Sequence, residues 1–181
     1  MIFISAGHNP KGIKPDPGAV ANGYKEADLA IDFRNLVCQY LTARGVKFIT
    51  DKDDERLGEY LKRIQTGNGS VVVEYHFDAA ASKDATGTTG LVGVDADRLD
   101  KGFATELTNA TAECFGIKNR GVKSEAESHR GSLGLMREQG IVALIELGFI
   151  SNVNDMKAYN FYKIKLAKIH AEIIERYEKL I

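Results

Sequence analysis

The stretch Ser70-Val71-Val72-Val73-Glu74-Tyr75-His76-Phe77 constrains this chain most. It is β-branched and aromatic almost throughout, the pattern of a central strand covered on both faces. A second run of this kind, Ile141-Val142-Ala143-Leu144-Ile145-Glu146-Leu147, lies far along the chain, and residues 2–6, 46–50 and 89–94 read as further strands. Helical stripes alternate with them. Leu29, Phe33, Val37, Tyr40 and Leu41 recur with helical spacing up to Gly45; Leu57, Leu61 and Ile64 run up to Gly67-Asn68-Gly69; Phe103, Leu107, Thr111 and Phe115 form a third stripe, and the tail from Asn154 a fourth. Residues 119–131 are polar and read as a loop, and 133–136 as a weak strand. The alternation predicts an α/β fold: a single three-layer α/β/α domain, with a central, mostly parallel but mixed sheet of about six strands and helices on both faces. No repeat, linker or change of composition divides residues 1–181, so one domain is expected.

Charge and hydropathy exclude several partners. Twenty-four basic against 25 acidic residues leave a net charge of −1, too little positive field to hold a nucleic acid or an anionic membrane. No apolar run approaches the roughly 18 residues of a membrane-spanning helix. The opening Met1-Ile2-Phe3-Ile4 run is short and has no positive leader, so no signal peptide is expected and synthesis in the cytoplasm is. Cys38 and Cys114 lie in helical stripes and are too few for a disulfide framework.

Chemistry concentrates where strands end. In open α/β sheets ligands bind beyond the carboxyl ends of the strands, and His8, His76 and Glu146 stand at or near three such ends. The first strand leads into a long loop, residues 9–23, that holds all three prolines, Pro10, Pro15 and Pro17. A loop of this length inside a compact domain is usually functional. Glu26 opens the helix that follows, where the loop can return it beside His8. Two imidazoles and a carboxylate are a ligand set of catalytic zinc, with a fourth position left open. Taken singly, each residue also has an ordinary reading. His8 is then a loop histidine, His76 a hydrogen-bonded core histidine, and Glu26 a first-turn glutamate matched to the helix dipole. Glu146 is the sharpest of the four, because an unpaired carboxylate in an apolar strand is expensive to bury. Among the rest, His129 lies in a polar loop that can border the cleft, His170 reads as structural, Arg137 as an ion-pair partner or a substrate contact, and the acidic run 51–55 as the dipole-matched start of a helix.

Together these residues resemble the zinc-dependent N-acetylmuramoyl-L-alanine amidases of the amidase-3 type, found in bacterial cell-wall hydrolases and phage endolysins. The matching segments run in family order over nearly the whole chain. They are Gly7-His8 with Asp16-Pro17-Gly18-Ala19, Glu26 before Leu29, His76 with Asp78-Ala79, and Leu135-Met136-Arg137-Glu138 followed by residues 143–152 around Glu146. Four positions depart from the family: Asn9-Pro10 where two glycines are usual, Glu74 where serine is usual, and Asp78 where asparagine is common. The resemblance implies one Zn2+ per chain held by His8, Glu26 and His76, with Glu146 as the catalytic acid/base. It implies hydrolysis of the amide between the lactyl group of N-acetylmuramic acid and the L-alanine of the stem peptide in peptidoglycan. Residues 1–181 are then expected to be a catalytic domain without a separate wall-binding domain, reaching the wall through phage or prophage release. A zinc peptidase or carboxypeptidase acting on another amide, or a catalytically silent wall-binding module, are the competing readings.

Overall fold

The computed structural model describes residues 1–181. In chain order the elements are β1 (Ile2–Ala6), β2 (Val20–Ala21), β3 (Tyr24–Lys25), α1 (Glu26–Ala43), β4 (Phe48–Thr50), α2 (Leu57–Arg63), β5 (Val71–Asp78), β6 (Thr88–Val92), α3 (Arg98–Phe115), β7 (Asn119–Ser124), β8 (Ile141–Phe149) and α4 (Val153–Glu178). Six strands form one sheet in the order β4-β1-β5-β8-β6-β7, parallel throughout except for the antiparallel pair β6 and β8. The small β2–β3 hairpin lies inside the long loop after β1. The α/β fold, the mixed sheet and the helices on both faces are as the sequence predicts.

The side-chain alternation of β1, β5 and β8 assigns the two faces. Ile2, Ile4, Val71, Val73, Tyr75, Ile141, Ala143 and Ile145 enter the larger core, under α1, α3 and α4. Phe3, Val72, Val142 and Leu144 enter a smaller one, closed by Tyr60 and Ile64 from α2 and its end and by Leu135 from a 3-10 turn over Gly134–Arg137. On this second face the alternation continues into polar residues towards the strand ends: Ser5 after Phe3, Glu74 and His76 after Val72, and Glu146 after Leu144. The lightly covered face therefore changes from core to site along the same strands.

Three local readings are corrected. Residues 119–124 form β7, a parallel edge strand on β6, rather than loop. Residues 133–136 do not form a strand: Leu133 precedes and Gly134–Arg137 make the 3-10 turn, which buries Leu135. The acidic run 51–55 does not cap α2. Arg56 is the N-cap, with its backbone N–H donating to Glu59 Oε2 at 2.9 Å. Asp51 and Asp53 instead hold the buried Arg34 guanidinium at 2.5 and 2.6 Å, and Glu55 pairs with Arg63 at 2.7 Å.

His170 is structural, as expected, and wholly buried on α4. Thr111 donates its hydroxyl to the Leu107 carbonyl at 2.8 Å, which leaves its oxygen to accept from His170 Nε2–H at 3.0 Å. His170 Nδ1 then accepts from the Tyr75 hydroxyl at 3.2 Å. The neutral ring satisfies both partners, and burial pushes its pKa down to about 3. An unfolded chain takes up this proton near the ordinary 6.5 and the folded one does not, so the group's contribution to stability is complete above about 6.5 and falls as pH drops. Between pH 7 and pH 5 the native chain should lose about 2 kcal/mol more stability than His170→Gln. Urea titrations at the two pH values measure this, and parallel losses would assign the acid sensitivity elsewhere.

Candidate active site

The cleft of about 600 Å³ lies beyond the carboxyl ends of β1, β5 and β8, on the face that α2 covers. Its floor contains Ser5, His8, Glu26, Glu74, His76 and Glu146. The loop after β1 creates the first half of the site. Gly7 extends the sheet through its N–H to the Tyr75 carbonyl at 2.7 Å, and His8 then turns with φ 68°, a left-handed conformation uncommon for a residue with a Cβ. Asp16 accepts from the ring of His8 at Nδ1, 2.8 Å away, and Asn9 pairs with Asp16 through the backbone.

Glu26, the first residue of α1, is the hub. Its Oε2 lies 3.2 Å from His8 Nε2 and its Oε1 2.8 Å from His76 Nδ1. The backbone N–H of Ala19 donates to Oε2 at 2.8 Å and that of Phe77 to Oε1 at 3.2 Å. Two glycines make this closeness possible. A Cβ on Gly7 would stand 2.1 Å from the His76 ring, and one on Gly18, whose φ is +64°, would stand 2.5 Å from Glu26 Oε2. No rotamer change of so enclosed a ring relieves the first clash.

His76 and Glu146 are register partners on the parallel strands β5 and β8. Glu146 Oε2 is buried with no hydrogen-bond partner. Burial pushes this carboxyl up to about 8; His76 opposes the rise, while Glu26 and Asp78 add to it. Burial alone would also raise Glu26, but hydrogen bonds from His76 and His8 hold it well below the usual carboxylate range. For both imidazoles burial disfavours charge, and the surrounding carboxylates overcome it and raise them. The cluster thus draws positive charge into a partly enclosed space.

One donor atom each from His8, Glu26 and His76 lies within 4.8 Å of the others. Tetrahedral ligands at zinc bond lengths stand about 3.3 Å from one another, so the set fits a single small cation after slight adjustment. The unpartnered Glu146 oxygen beside the set fits a role other than ligand. Of the remaining candidates, His129 borders the cleft. Asp78 also lines it and accepts from Ala79 N–H at 3.0 Å, without joining the three-residue set. Arg137 donates to Ser132 Oγ at 3.0 Å. Ser151 and Asn152, in the segment after Glu146, are structural: Ser151 Oγ accepts from Ala80 N–H, and Asn152 Oδ1 caps α4 through Asn154 and Asp155. Sequence reasoning did not find the contacts of Asp16 and Glu74 with the two histidines. The period of two along β5 is the signal that puts Glu74 on the same face as His76.

Comparison with known proteins points to one family. The family described as N-acetylmuramoyl-L-alanine amidase, amidase-3, matches residues 2–176. A solved structure from Neisseria meningitidis, provisionally assigned as an N-acetylmuramoyl-L-alanine amidase, is 32% identical with a TM-score of 0.79, over 97% of this chain and 93% of that one. The endolysin of Bacillus phage SPP1 is 27% identical over 191 residues, covering 95% of this chain and 64% of its own length. N-acetylmuramoyl-L-alanine amidase LytC of Bacillus subtilis (strain 168) is 24% identical over 183 residues, covering 97% of this chain but only 35% of its own length. Fold, match and site arrangement lead to one assignment: the chain belongs to the amidase-3 family of N-acetylmuramoyl-L-alanine amidases.

Proposed function

We propose that this peptidoglycan amidase is zinc-dependent, that His8, Glu26 and His76 hold the metal, and that it cleaves the amide joining the lactyl group of N-acetylmuramic acid to L-alanine. The observation that carries the reading is the convergence of those three donors, within 4.8 Å of one another, beside a buried and unpartnered Glu146 oxygen. Zinc bound there supplies Lewis-acid chemistry, polarising the amide carbonyl and making water more acidic. Glu146 takes the proton of the attacking water at its free oxygen. It then delivers that proton to the departing nitrogen, because an amide nitrogen does not leave as an anion. A carboxyl that burial draws towards neutrality suits both transfers, and a cation beside it favours the ionised form that must act first.

Leu57 offers apolar surface at the cleft wall, and Arg120, Lys123 and Arg130 are basic side chains of a lining that also holds carboxylates. Residues 1–181 act as one catalytic domain in this reading, with the cell wall as the place of action and phage-type release as the route. No helix is long and apolar enough to cross a membrane.

Purified protein is expected to contain about one zinc per chain, to lose activity on chelation and to regain it with added zinc. Its far-UV circular dichroism should hardly change on metal removal, since the sheet and its two cores form without the ligands. Digestion of purified wall should release new alanine N-termini without any cut inside the stem peptide. Cuts within the peptide would make the chain a peptidase, and full activity after metal removal would end the zinc assignment.

A further inference from the structure

We propose that Glu74 is a positioning residue of the metal centre: with Ser5 it fixes the His76 ring so that Nδ1 faces the metal and Nε2–H faces away. The proposal rests on the zinc reading above. Glu74 is only 2% exposed and precedes His76 by two residues on β5, so both side chains rise from the same face. Its Oε1 lies 3.0 Å from His76 Nε2, and its Oε2 accepts from the Ser5 hydroxyl at 2.9 Å. Ser5 and Glu74 are opposite one another in the register of β1 and β5, so the sheet itself aligns this contact.

The two nitrogens of His76 are thus divided between two carboxylates. Nδ1 meets Glu26, inside the three-donor group, and Nε2 meets Glu74 on the opposite edge of the ring. A metal-binding imidazole offers a lone pair on one nitrogen and keeps its proton on the other. Glu74 accepts that remaining proton, which selects the tautomer and fixes the ring plane. From the far edge of the ring Glu74 does not ligate the same ion. Gly7, on which a Cβ would overlap the ring, closes a further side. His8 has a related arrangement with Asp16 on Nδ1, but the Asp16 side chain is 58% exposed. Water competes for that contact, so the enclosed Glu74 contact has the larger effect.

The test compares zinc dissociation constants, by competition with a chromogenic chelator, for the unmutated chain, Glu74→Ala and Glu74→Gln. Glu74→Ala should bind zinc about 10–100-fold more weakly, and Glu74→Gln, which keeps an oxygen to accept from Nε2–H, should recover most of the loss. Long-range ¹H–¹⁵N spectra of the zinc-loaded chain should place the His76 proton on Nε2, with slow solvent exchange that becomes fast in Glu74→Ala. Equal zinc affinity in Glu74→Ala, coordination through Nε2, or an equal loss in Glu74→Gln would each overturn the positioning role. Should Glu74→Ala not fold, Ser5→Ala should raise the same constant by a smaller factor, and an unchanged constant overturns the proposal. An unmutated chain that binds no zinc overturns the zinc reading and this inference together, an outcome distinct from equal binding by chain and variant.

Discussion

Replacing Glu146 by glutamine is expected to lower turnover on purified cell wall by roughly 10²–10⁴ while zinc content stays near one per chain. Glutamine preserves the shape of the side chain, and its amide can still hydrogen-bond to water. It neither accepts a proton from that water nor delivers one to the leaving nitrogen, so only the acid–base contribution disappears. The position in the fold makes the separation clean. Glu146 sits opposite His76 in the sheet register but lies outside the three-donor group, and its Oε2 has no partner to lose. Stability should respond in the opposite direction. In the metal-free chain the carboxyl is pushed from its ordinary 4.5 up to about 8, so the folded state holds a proton that the unfolded state releases between those values. The wild-type chain therefore loses stability as pH rises through that window, and the glutamine variant does not. Metal stoichiometry and turnover on one zinc-loaded preparation, with melting temperatures at pH 5 and pH 8 after metal removal, decide the matter. Lost zinc would make Glu146 a ligand, and retained turnover would remove it from the mechanism.

The parts of the fold legible in the sequence are those in which a single environment dictates the residues. β5 and β8 are buried on both faces, and their near-continuous apolar runs announce it. β7 is an edge strand with β6 as its sole neighbour, and Asn119-Arg120-Gly121-Val122-Lys123-Ser124 has no apolar face to reveal it. Leu133 and Leu135 alternate as a strand would, yet the smaller core takes Leu135 from a 3-10 turn, a tertiary demand with no local signature. The site divides in the same way. His8, His76 and Glu146 stand out because polar residues end apolar strands. Glu26 is indistinguishable from an ordinary first-turn glutamate until the loop folds back and Gly18 lets it approach His8. The role of Asp16 depends on that loop's path, which composition does not encode. Glu74 was visible only as a departure from the family pattern, and its partner follows from which residues share a strand face.

Glu26→Ala should have the largest effect on the metal, reducing zinc from about one per chain to near zero at micromolar free metal and abolishing turnover with it. Glu26 is the one donor within hydrogen-bonding distance of both histidines, 3.2 Å from His8 Nε2 and 2.8 Å from His76 Nδ1. Its removal leaves two imidazoles, which is fewer ligands than a catalytic zinc site uses. It also takes away the acceptor for the Ala19 and Phe77 N–H groups, so the loop that carries His8 loses one of its anchors to α1. Some loss of stability is therefore expected in the metal-free protein, because buried donors left without acceptors cost about 1–3 kcal/mol each. The sheet should survive, since the larger core under α1, α3 and α4 does not include the site. His8→Ala and His76→Ala should weaken zinc binding as well, whereas His129→Ala and His170→Ala should each retain about one zinc, which separates position from mere histidine content. Metal analysis after gel filtration, paired with circular dichroism on the same sample, reads both effects. A folded Glu26→Ala chain that still held one zinc would displace Glu26 from the ligand set, and Asp78, the cleft carboxylate two residues after His76, would be the next side chain to replace.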